Sequence, residues 1–461
     1  MFDFASKRVT VMGLGNFGGG LGVTRWLVSQ GADVLVTDAS PPEKLESALA
    51  ELRPLIDAGE VTTRLGEHNV SDFTGADAVI ANPAVPMPWD NRFLRAARAA
   101  GVHVTTEIRL LVERLPSRDN VIGITGSAGK STTTAMIAHA LKAMNEPVVV
   151  GGNLGGSLLY ELATLTTRHR VVLELSSAML HWLDAGADGP GFSPRVAVVT
   201  NIKPNHIDWH GSFDHYAASK RVIAAHQRPG DTLILGDDSP AAPPGSWPEV
   251  PGVSRRAPAR AAPEFALRLP GSHNRLNAVL AADAVAAALS TDPREQAAAR
   301  AGALRALADF PGLEHRLQFI GEFPVPGGAG FAFNDSKSTT PESAATAIEA
   351  LDGDPRYGAD RVHLIAGGYD KKIDLAPMIA PASRCAAVYT IGATGPSIAA
   401  GVAVAGGRAT ECSTLDRAFN AARAAMRDRE VLLLSPGCAS WDQYVNFERR
   451  GEEFVRLVRS A

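Results

Sequence analysis

Short runs of valine, isoleucine and leucine alternate along the whole chain with longer, alanine-rich stretches that have a helical pattern. Runs such as VVLEL and VAVV are apolar at almost every position, as strands of a parallel sheet are when helices cover both faces. Strands and helices that alternate in this way form parallel sheets with crossover connections. The pattern therefore predicts an α/β fold.

The strand runs fall into three groups, which predict three domains. The first group holds RVTVMG, ADVLVTD, DAVIANP and VHVTTE, the second NVIGITG, PVVVGG, RVVLELSS, VAVVTN and DTLILG, and the third GFAFND, RVHLIAGG, AAVYTIG and EVLLLSPG. At roughly 150 residues a domain, the length also favours about three domains. We expect a Rossmann-like N-terminal domain at 1–118, a central domain at 119–312 and a C-terminal Rossmann-like domain at 313–461.

A segment rich in proline and alanine, residues 239–263, interrupts the second group between its last strand and its closing helix. Its prolines exclude a regular helix, because proline lacks the backbone donor that a helix interior needs. We expect a surface loop or irregular edge strands there.

Composition narrows the class of protein further. Of the 461 residues 45% are hydrophobic and 20% charged, and the net charge of −4 gives no reason to expect nucleic acid or an anionic membrane as partner. Three cysteines, Cys385, Cys412 and Cys438, stand far apart and predict reduced thiols. The start has no signal-peptide pattern, and no apolar stretch approaches the ~18 residues of a membrane span. We expect a soluble, cytoplasmic protein.

The first glycine-rich turn, in VTVMGLGNFG, lies between a predicted strand and a predicted helix. Gly13, Gly15 and Gly18 have the spacing of a dinucleotide-binding turn, and Asp38 ends the next strand about 20 residues later. Glycine lets the backbone approach a diphosphate closely, and the helix N-terminus supplies amide donors. Alone, this pattern fits a nicotinamide or flavin enzyme, and equally a tight turn without a ligand.

A second turn, in GITGSAGKSTTT, indicates a different use of phosphate. Lys130 and Ser131 follow Gly129 as in a nucleoside-triphosphate loop, where the lysine reaches the β- and γ-phosphates and the hydroxyl binds magnesium. The usual first glycine is absent, and Ile124 stands in its place. We expect the central domain to be a P-loop mononucleotide-binding domain. One turn would hold a diphosphate that is carried, and the other a triphosphate that is consumed.

Three residues downstream add candidate chemistry, although each has an ordinary structural explanation. Glu174 ends a predicted strand, where ligands collect in open parallel sheets, but it could also be an exposed strand-end acid. His206 follows another strand, and Lys220 lies in the next predicted helix, where a solvated surface lysine is the ordinary case.

Ten motifs in a fixed order give a resemblance to a known family. They are GITGSAGKST, GGNLG, LELSS, NIKPNHIDWH, YAASK, GSHNRLNA, GLEHR, NDSKSTTP, GGYDKK and LLLSPGCASWDQYVNFERRGEEF. In this order, and over essentially the whole chain, the sequence resembles the Mur ligases, the ATP-dependent enzymes that add amino acids in peptidoglycan synthesis. GGYDKK and the last motif most resemble the D-glutamate-adding branch of that family.

The resemblance implies a set of site residues. The implied catalytic residues are Lys130, Glu174, His206 and Lys220. The implied ATP-binding residues are Gly126, Ser127, Ala128, Gly129, Lys130, Ser131, Thr132, Asn274, Asn277, Arg316, Asp335 and Lys337. Two magnesium ions would be held by Ser131, Glu174, His206 and Lys220, the lysine as a carbamate. The implied contacts of a UDP-linked substrate are Gly15, Asn16, Phe17, Gly18, Asp38, Asn82 and Asn153, and those of glutamate are Thr339, Lys371, Ser440 and Phe447.

The chain departs from the family pattern at three places. Ala128 replaces an asparagine beside the phosphates, which should matter little because such loops bind through backbone amides. Ala39 and Ser40 replace polar and basic residues that often follow the acid, and the second nucleotide loop is reduced to NPAVP. Without the resemblance, Phe447 would be assigned to the core and Ser440 to a helix N-cap.

The implied reaction joins D-glutamate to UDP-N-acetylmuramoyl-L-alanine through an acyl phosphate, with small molecules as partners and a monomer as the expected state. The alternative within the family is a ligase for L-glutamate or another amino acid. A dehydrogenase would leave the second turn unexplained, and a folate-type ligase would not need the first domain. A regulator without turnover would be free to lose Lys130, Glu174, His206 and Lys220.

Overall fold

The computed structural model describes residues 2–15, 19–186, 188–236, 247, 252, 254–256 and 265–461. Residues 254–256 are described by their backbone alone. The chain forms two compact units, Met1–Ala262 with Asn277–Leu304 and Pro263–Leu276 with Arg305–Ala461. Two sheets lie in the first unit and one in the second. Within the described residues, no helix is both long and apolar enough to cross a membrane.

The first sheet is parallel and has a Rossmann-like strand order. Its strands are β1 Arg8–Met12, β2 Asp33–Asp38, β3 Val61–Leu65, β4 Ala78–Ala81 and β5 His103–Thr105, in the order β3-β2-β1-β4-β5. Its helices are α1 Gly19–Ser29, α2 Glu46–Asp57, α3 Val70–Thr74, α4 Arg92–Ala99 and α5 Glu107–Arg114. The order reverses between β1 and β4, so the carboxyl ends of these two strands flank the crevice where such folds bind ligands.

The central sheet is also parallel, with the strand that precedes the phosphate loop near its middle. Its strands are β6 Val121–Thr125, β7 Val148–Gly152, β8 Arg170–Glu174, β9 Val196–Val199, β10 Thr232–Leu235 and β11 Ser254–Arg256, in the order β11-β10-β9-β6-β8-β7. The helices are α6 Lys130–Ala143, α7 Ser177–Leu183, α8 Ile207–His210, α9 Phe213–Ala225, α10 Ser272–Leu289 and α11 Pro293–Leu307. Only a few residues of the segment 239–263 are described. They include β11, an edge strand of the sheet, and a surface loop or irregular edge strands were the structures expected there.

The third sheet is parallel except at one edge, where β12 runs antiparallel to β13. Its strands are β12 Gln318–Val325, β13 Gly328–Asn334, β14 Val362–Gly367, β15 Ala387–Ile391, β16 Ala409–Ser413 and β17 Val431–Leu434, in the order β12-β13-β17-β14-β15-β16. The helices are α12 Pro341–Asp352, α13 Ala376–Ser383, α14 Gly395–Val404, α15 Leu415–Ala425 and α16 Phe447–Arg459. The predicted α/β architecture with parallel sheets is confirmed.

Helices on both faces explain why the central strands are apolar throughout. Every residue of β4, β6, β9, β14 and β17 is buried. Valine, isoleucine and leucine therefore occupy successive positions and not alternate ones. Because the strand interiors are apolar, polar side chains collect where the strands end, and the candidate site lies at those ends.

Two arginines of the first sheet's helices hold a loop that follows α7 in the central domain. Arg109 is 1% exposed, and its guanidinium donates to the carbonyl oxygens of Trp182, Asp184 and Pro190. Arg98 pairs with Asp188 at 2.7 Å. The hydrogen bond to Trp182 is buried, so its donor and acceptor depend on each other, whereas those to Asp184 and Pro190 are only partly buried.

Replacing Arg109 by methionine is expected to lower the free energy of unfolding by about 2–4 kcal/mol, because it removes the donor to the buried Trp182 carbonyl and two partly buried hydrogen bonds. Urea unfolding followed by far-UV circular dichroism measures the change. Arg95→Met is the control, because Arg95 is exposed and its pair with Asp90 is solvated, so it should cost less than about 1 kcal/mol. Equal effects of the two substitutions would show that the Arg109 contacts are not important for stability.

Candidate active site

The phosphate loop is the turn from β6 into α6, and two of its glycines are required by space as well as by backbone angle. Gly126 has φ +150°, and a Cβ there would clash with Thr200 Oγ1. Gly129 caps α6 with φ +83°, and a Cβ there would lie 2.7 Å from Asn277 Oδ1. The α6 N-terminus, beginning at Lys130, thus directs its amide donors into the loop.

The loop is held from the side by residues that follow β9, and sequence reasoning did not single these out. Thr200 Oγ1 donates to Ala128 O at 2.5 Å. The Asn201 side chain accepts from Ala128 N at 3.1 Å and donates to Ala128 O at 3.0 Å. The hydroxyl of Ser127 lies 2.8 Å from Tyr216 Oη. The sequence could have indicated Thr200 and Asn201, because they are the first polar residues after an apolar strand.

Glu174 ends β8 beside the phosphate loop and is fully buried, not an exposed strand-end acid. Its Oε1 accepts a hydrogen bond from Asn153 Nδ2 at 2.7 Å, whereas Oε2 is buried without a partner. A buried carboxylate oxygen without a donor is costly unless a ligand satisfies it. The arrangement fits a carboxylate that binds a cation.

Lys220 is buried as well, with 1% of its surface exposed, so it is not a solvated helix-surface lysine. Its Nζ donates to Gly126 O at 2.8 Å and to Thr125 Oγ1 at 3.3 Å. Burial lowers the pKa of this amine well below its ordinary value, and the charge of Lys130 lowers it further, while Glu174 acts in the opposite direction. The amine therefore spends more time neutral than an exposed lysine does.

His206 stands immediately before α8 with φ +50°, and its ring centroid lies 6.3 Å from that of Tyr216. Burial lowers the pKa of His206, and the charges of Lys130 and Lys220 lower it further. Lys220 is thus within electrostatic reach of Lys130, Glu174 and His206.

Candidate metal ligands at this site are few, as expected for magnesium. Among the described residues, no group of three or more histidine, cysteine, aspartate and glutamate side chains is arranged to hold a metal ion. Magnesium usually keeps several waters and takes one or two carboxylates together with phosphate oxygens. The free Oε2 of Glu174 and the hydroxyl of Ser131 at the start of α6 suit that donor set.

The first glycine turn brings together residues from three strand ends. Asp38 accepts hydrogen bonds from the backbone amides of Leu14 and Gly15 at 2.9 and 3.2 Å. Asn82, at the end of β4, donates to Gly13 O at 3.2 Å. The expected contacts Asn16, Phe17 and Gly18 lie outside the described residues.

The second unit gathers the remaining candidates at the carboxyl ends of β13, β14 and β17. Asp335 is buried, accepts from Ser435 Oγ at 2.7 Å, and burial raises its pKa to about 7. The Nζ atoms of Lys337 and Lys371 lie over the rings of Phe447 and Trp441, at 5.2 and 5.1 Å from the centroids.

Other candidates in this unit are held less directly. The backbone amide of Arg316 donates to Leu313 O at 3.1 Å, and Asn274 Nδ2 donates to Pro270 O at 2.7 Å. Ser440 is not an N-cap, since Asn446 caps α16. Its hydroxyl is buried without a partner, as Glu174 Oε2 is in the first unit. Ser440 Oγ is thus a buried polar atom without a hydrogen-bond partner, and it belongs to a residue expected to hold glutamate.

Parallel sheets with a phosphate loop and a buried carboxylate at the strand ends define a nucleotide-binding α/β protein. Three family models match the chain: the Mur ligase MurD-like N-terminal domain at residues 7–106, the Mur ligase middle domain at 124–244, and the Mur ligase glutamate ligase domain at 315–438. The chain belongs to the Mur ligase family.

Relatives match over the full length. The UDP-N-acetylmuramoylalanine--D-glutamate ligase of Roseiflexus sp. (strain RS-1) is 36% identical, with 99% of each chain covered. That of Anaeromyxobacter dehalogenans (strain 2CP-C) is 37% identical and covers 99% of this chain and 98% of its own. Among solved structures, UDP-N-acetylmuramate-alanine ligase MurC from Thermotoga maritima shares the fold, with a TM-score of 0.57, 20% identity and 98% and 99% coverage.

Replacing Gly126 by alanine is expected to weaken ADP binding by about tenfold or more, because the methyl group has no room at Thr200 and the loop must shift. Isothermal titration calorimetry measures the affinity. Gly353→Ala is the control, because Gly353 has φ −78° and its added methyl would lie 3.4 Å from Glu349 O. An unchanged ADP affinity in Gly126→Ala would show that this turn does not hold the nucleotide.

Proposed function

We propose that this protein is an ATP-dependent ligase that joins D-glutamate to the alanine carboxylate of UDP-N-acetylmuramoyl-L-alanine. The observation that carries the proposal is the buried, unpartnered Oε2 of Glu174 beside a phosphate loop. A dehydrogenase has no use for a cation-binding carboxylate at such a loop. The full-length relatives named for D-glutamate addition support the choice of substrates.

The reaction consumes ATP in two steps. The substrate carboxylate attacks the γ-phosphorus, which gives an acyl phosphate and ADP. The amine of glutamate then adds to the acyl carbon, and inorganic phosphate leaves with one of the original carboxylate oxygens. Catalysis of both steps depends mainly on position and on positive charge near the transferred group.

The residues of the first unit supply that position and charge. The amides at the start of α6 and the ammonium group of Lys130 bind the phosphates, and Thr200 and Asn201 keep the loop in shape. Magnesium ions held by Ser131, Glu174 and His206 would neutralise negative charge on the transferred phosphoryl group. Asn153 fixes Glu174 by a hydrogen bond to Oε1, and the unpartnered Oε2 would be available to a cation.

Lys220 takes part as a carbamate in this proposal. Carbon dioxide reacts with a neutral amine, and burial beside Lys130 favours the neutral form of Lys220. The amine nitrogen bonds to the carbon of carbon dioxide and loses one proton, which gives an anionic, carboxylate-like group. This change adds oxygen ligands of the kind that magnesium prefers.

The second unit supplies the amino acid. Lys371 and the hydroxyls of Thr339 and Ser440 are suited to the two carboxylates of glutamate, since charge-assisted hydrogen bonds are the strong ones. The unpartnered Ser440 hydroxyl supports this assignment. L-glutamate carries the same groups in a different direction, so the preference for D-glutamate is supported by the names of the relatives and not by this donor set.

ATP and UDP-linked sugars are cytoplasmic compounds, so we place the reaction in the cytoplasm. All three cysteines are free and buried, which suits a reducing compartment. The proposed partners are the three small substrates, and the proposed working form is a monomer.

Purified protein is expected to release phosphate from ATP only when UDP-N-acetylmuramoyl-L-alanine and D-glutamate are both present. With L-glutamate kcat/KM should fall by at least about 100-fold, as the relatives named for D-glutamate addition lead us to expect. A coupled phosphate assay with a panel of D- and L-amino acids measures this. Equal turnover with another amino acid, or reduction of a nicotinamide, would contradict the proposal.

Lys220→Ala is expected to lose at least about 100-fold in kcat, with partial recovery in acetate or formate, which replace the carbamate oxygens. In ¹³C-bicarbonate, the wild-type protein should show a carbamate resonance that Lys220→Ala lacks. Lys142→Ala, a change at an exposed lysine of α6, is the control and should retain both properties. No carbamate resonance in the wild-type protein would exclude this role for Lys220.

A further inference from the structure

Arg450 lies in the first turn of α16 and is among the largest fully buried side chains, with 1% of its surface exposed. Its guanidinium donates to Ser336 Oγ at 3.0 Å and to Ser336 O at 2.9 Å. The same group donates twice to Cys438 O, at 3.1 Å from each terminal nitrogen. One side chain thus joins two loops that are about 100 residues apart in the chain.

These two loops carry residues that we assign to the amino-acid site. Ser336 lies between Asp335 and Lys337, three residues before Thr339. Cys438 lies two residues before Ser440, whose hydroxyl is buried and unpartnered. The planar fork of an arginine fixes both the distance and the relative angle of two acceptors, which a single hydrogen bond does not.

The contacts of Arg450 extend to the other two candidate segments. Ser336 Oγ accepts from Arg450 and donates to Phe447 O at 2.8 Å. Gly368, three residues before Lys371, has no room for a side chain: a Cβ there would lie 3.1 Å from Arg450 Nη1 and would clash with Ala439 O. Tyr369 N donates to that same carbonyl at 2.8 Å.

The charge of Arg450 is satisfied by neutral oxygens. Within the described residues, no ion pair includes Arg450, and its acceptors are two carbonyls and one hydroxyl. Burial lowers its pKa to about 10, so it stays protonated at neutral pH. The charge of Asp442 acts in the opposite direction and raises that pKa. A buried cation whose hydrogen-bond acceptors are all neutral is expensive to keep for stability alone, which points to a use in the site.

We propose that Arg450 is a positioning residue for the incoming amino acid: it holds the loops of Thr339, Lys371, Ser440 and Phe447 in the arrangement that binds glutamate. The inference rests on the proposed function. In this inference Arg450 does not bind a substrate itself. Its hydrogen bonds to the loops set the affinity for glutamate.

The test is steady-state kinetics of Arg450→Met and Arg450→Lys in the full-length protein, with each substrate varied in turn. In Arg450→Met the KM for D-glutamate should rise by about tenfold or more, because two loops lose their shared donor. The KM for UDP-N-acetylmuramoyl-L-alanine should change by less than about twofold. The KM for ATP should rise less than that for D-glutamate, because only the loop of Ser336, which also carries Asp335 and Lys337, is shared with the nucleotide. Arg450→Lys keeps the charge without the fork and should give an intermediate KM for D-glutamate.

Arg449→Met is the matched control, because Arg449 is the preceding residue, is exposed and forms an ion pair with the exposed Glu452 at 2.8 Å. It should leave all three KM values unchanged. If Arg450→Met does not fold, Ser336→Ala removes the hydroxyl between Arg450 and Phe447 O with no change of charge, and it should also raise the KM for D-glutamate selectively.

A rise in KM that is larger for D-glutamate than for either other substrate supports the inference. An unchanged KM for D-glutamate, or an equal rise for all substrates, overturns it and assigns Arg450 to stability. If the wild-type protein does not use D-glutamate at all, the proposed function fails, and that result is separate from the outcome for Arg450.

Discussion

The carboxyl ends of adjacent parallel strands impose the main constraint on this molecule, because they bring Thr125, Glu174 and Thr200 to one edge of the central sheet. Of these, Glu174 carries a charge in a fully buried position and has one oxygen without a donor. Lys220 lies within electrostatic reach of Glu174, and the charge of Lys130 acts on Lys220. A buried carboxylate oxygen without a donor is costly unless a ligand satisfies it, and magnesium with phosphate is a ligand pair that suits this site.

In the second unit, too, polar groups lie where parallel strands end, but these groups differ from those of the first unit. There the strand ends present backbone carbonyls and hydroxyls, and a buried guanidinium connects them. The first unit therefore has a fixed anion beside a phosphate-binding turn, and the second has a fixed cation beneath the residues suited to carboxylates. In each unit these charged groups are fixed in place before a substrate binds, which reduces the cost of ordering the site during the reaction.

The sequence predicted the buried strands well, because strands covered on both faces have an unmistakable apolar pattern. It missed β3, β12 and β16, whose residues are partly exposed and include threonine, glutamate and arginine, so no apolar run marks them. Both glycine-rich turns were identified, since their spacing is local.

Contacts between distant segments were beyond the sequence. Glu174 and Lys220 could be nominated but not shown to be buried, because their burial depends on loops elsewhere in the chain. Arg450 lies in a highly charged helix, where the sequence predicts a surface residue, and its partners are 114 and 12 residues away.

The central claim is that ATP activates a substrate carboxylate as an acyl phosphate, and oxygen transfer tests it most directly. UDP-N-acetylmuramoyl-L-alanine labelled with ¹⁸O in both carboxylate oxygens is converted to product with ATP and D-glutamate, and mass spectrometry locates the label. The account predicts one ¹⁸O atom in inorganic phosphate and one in the new amide. Label in AMP, or phosphate released without label, would contradict it.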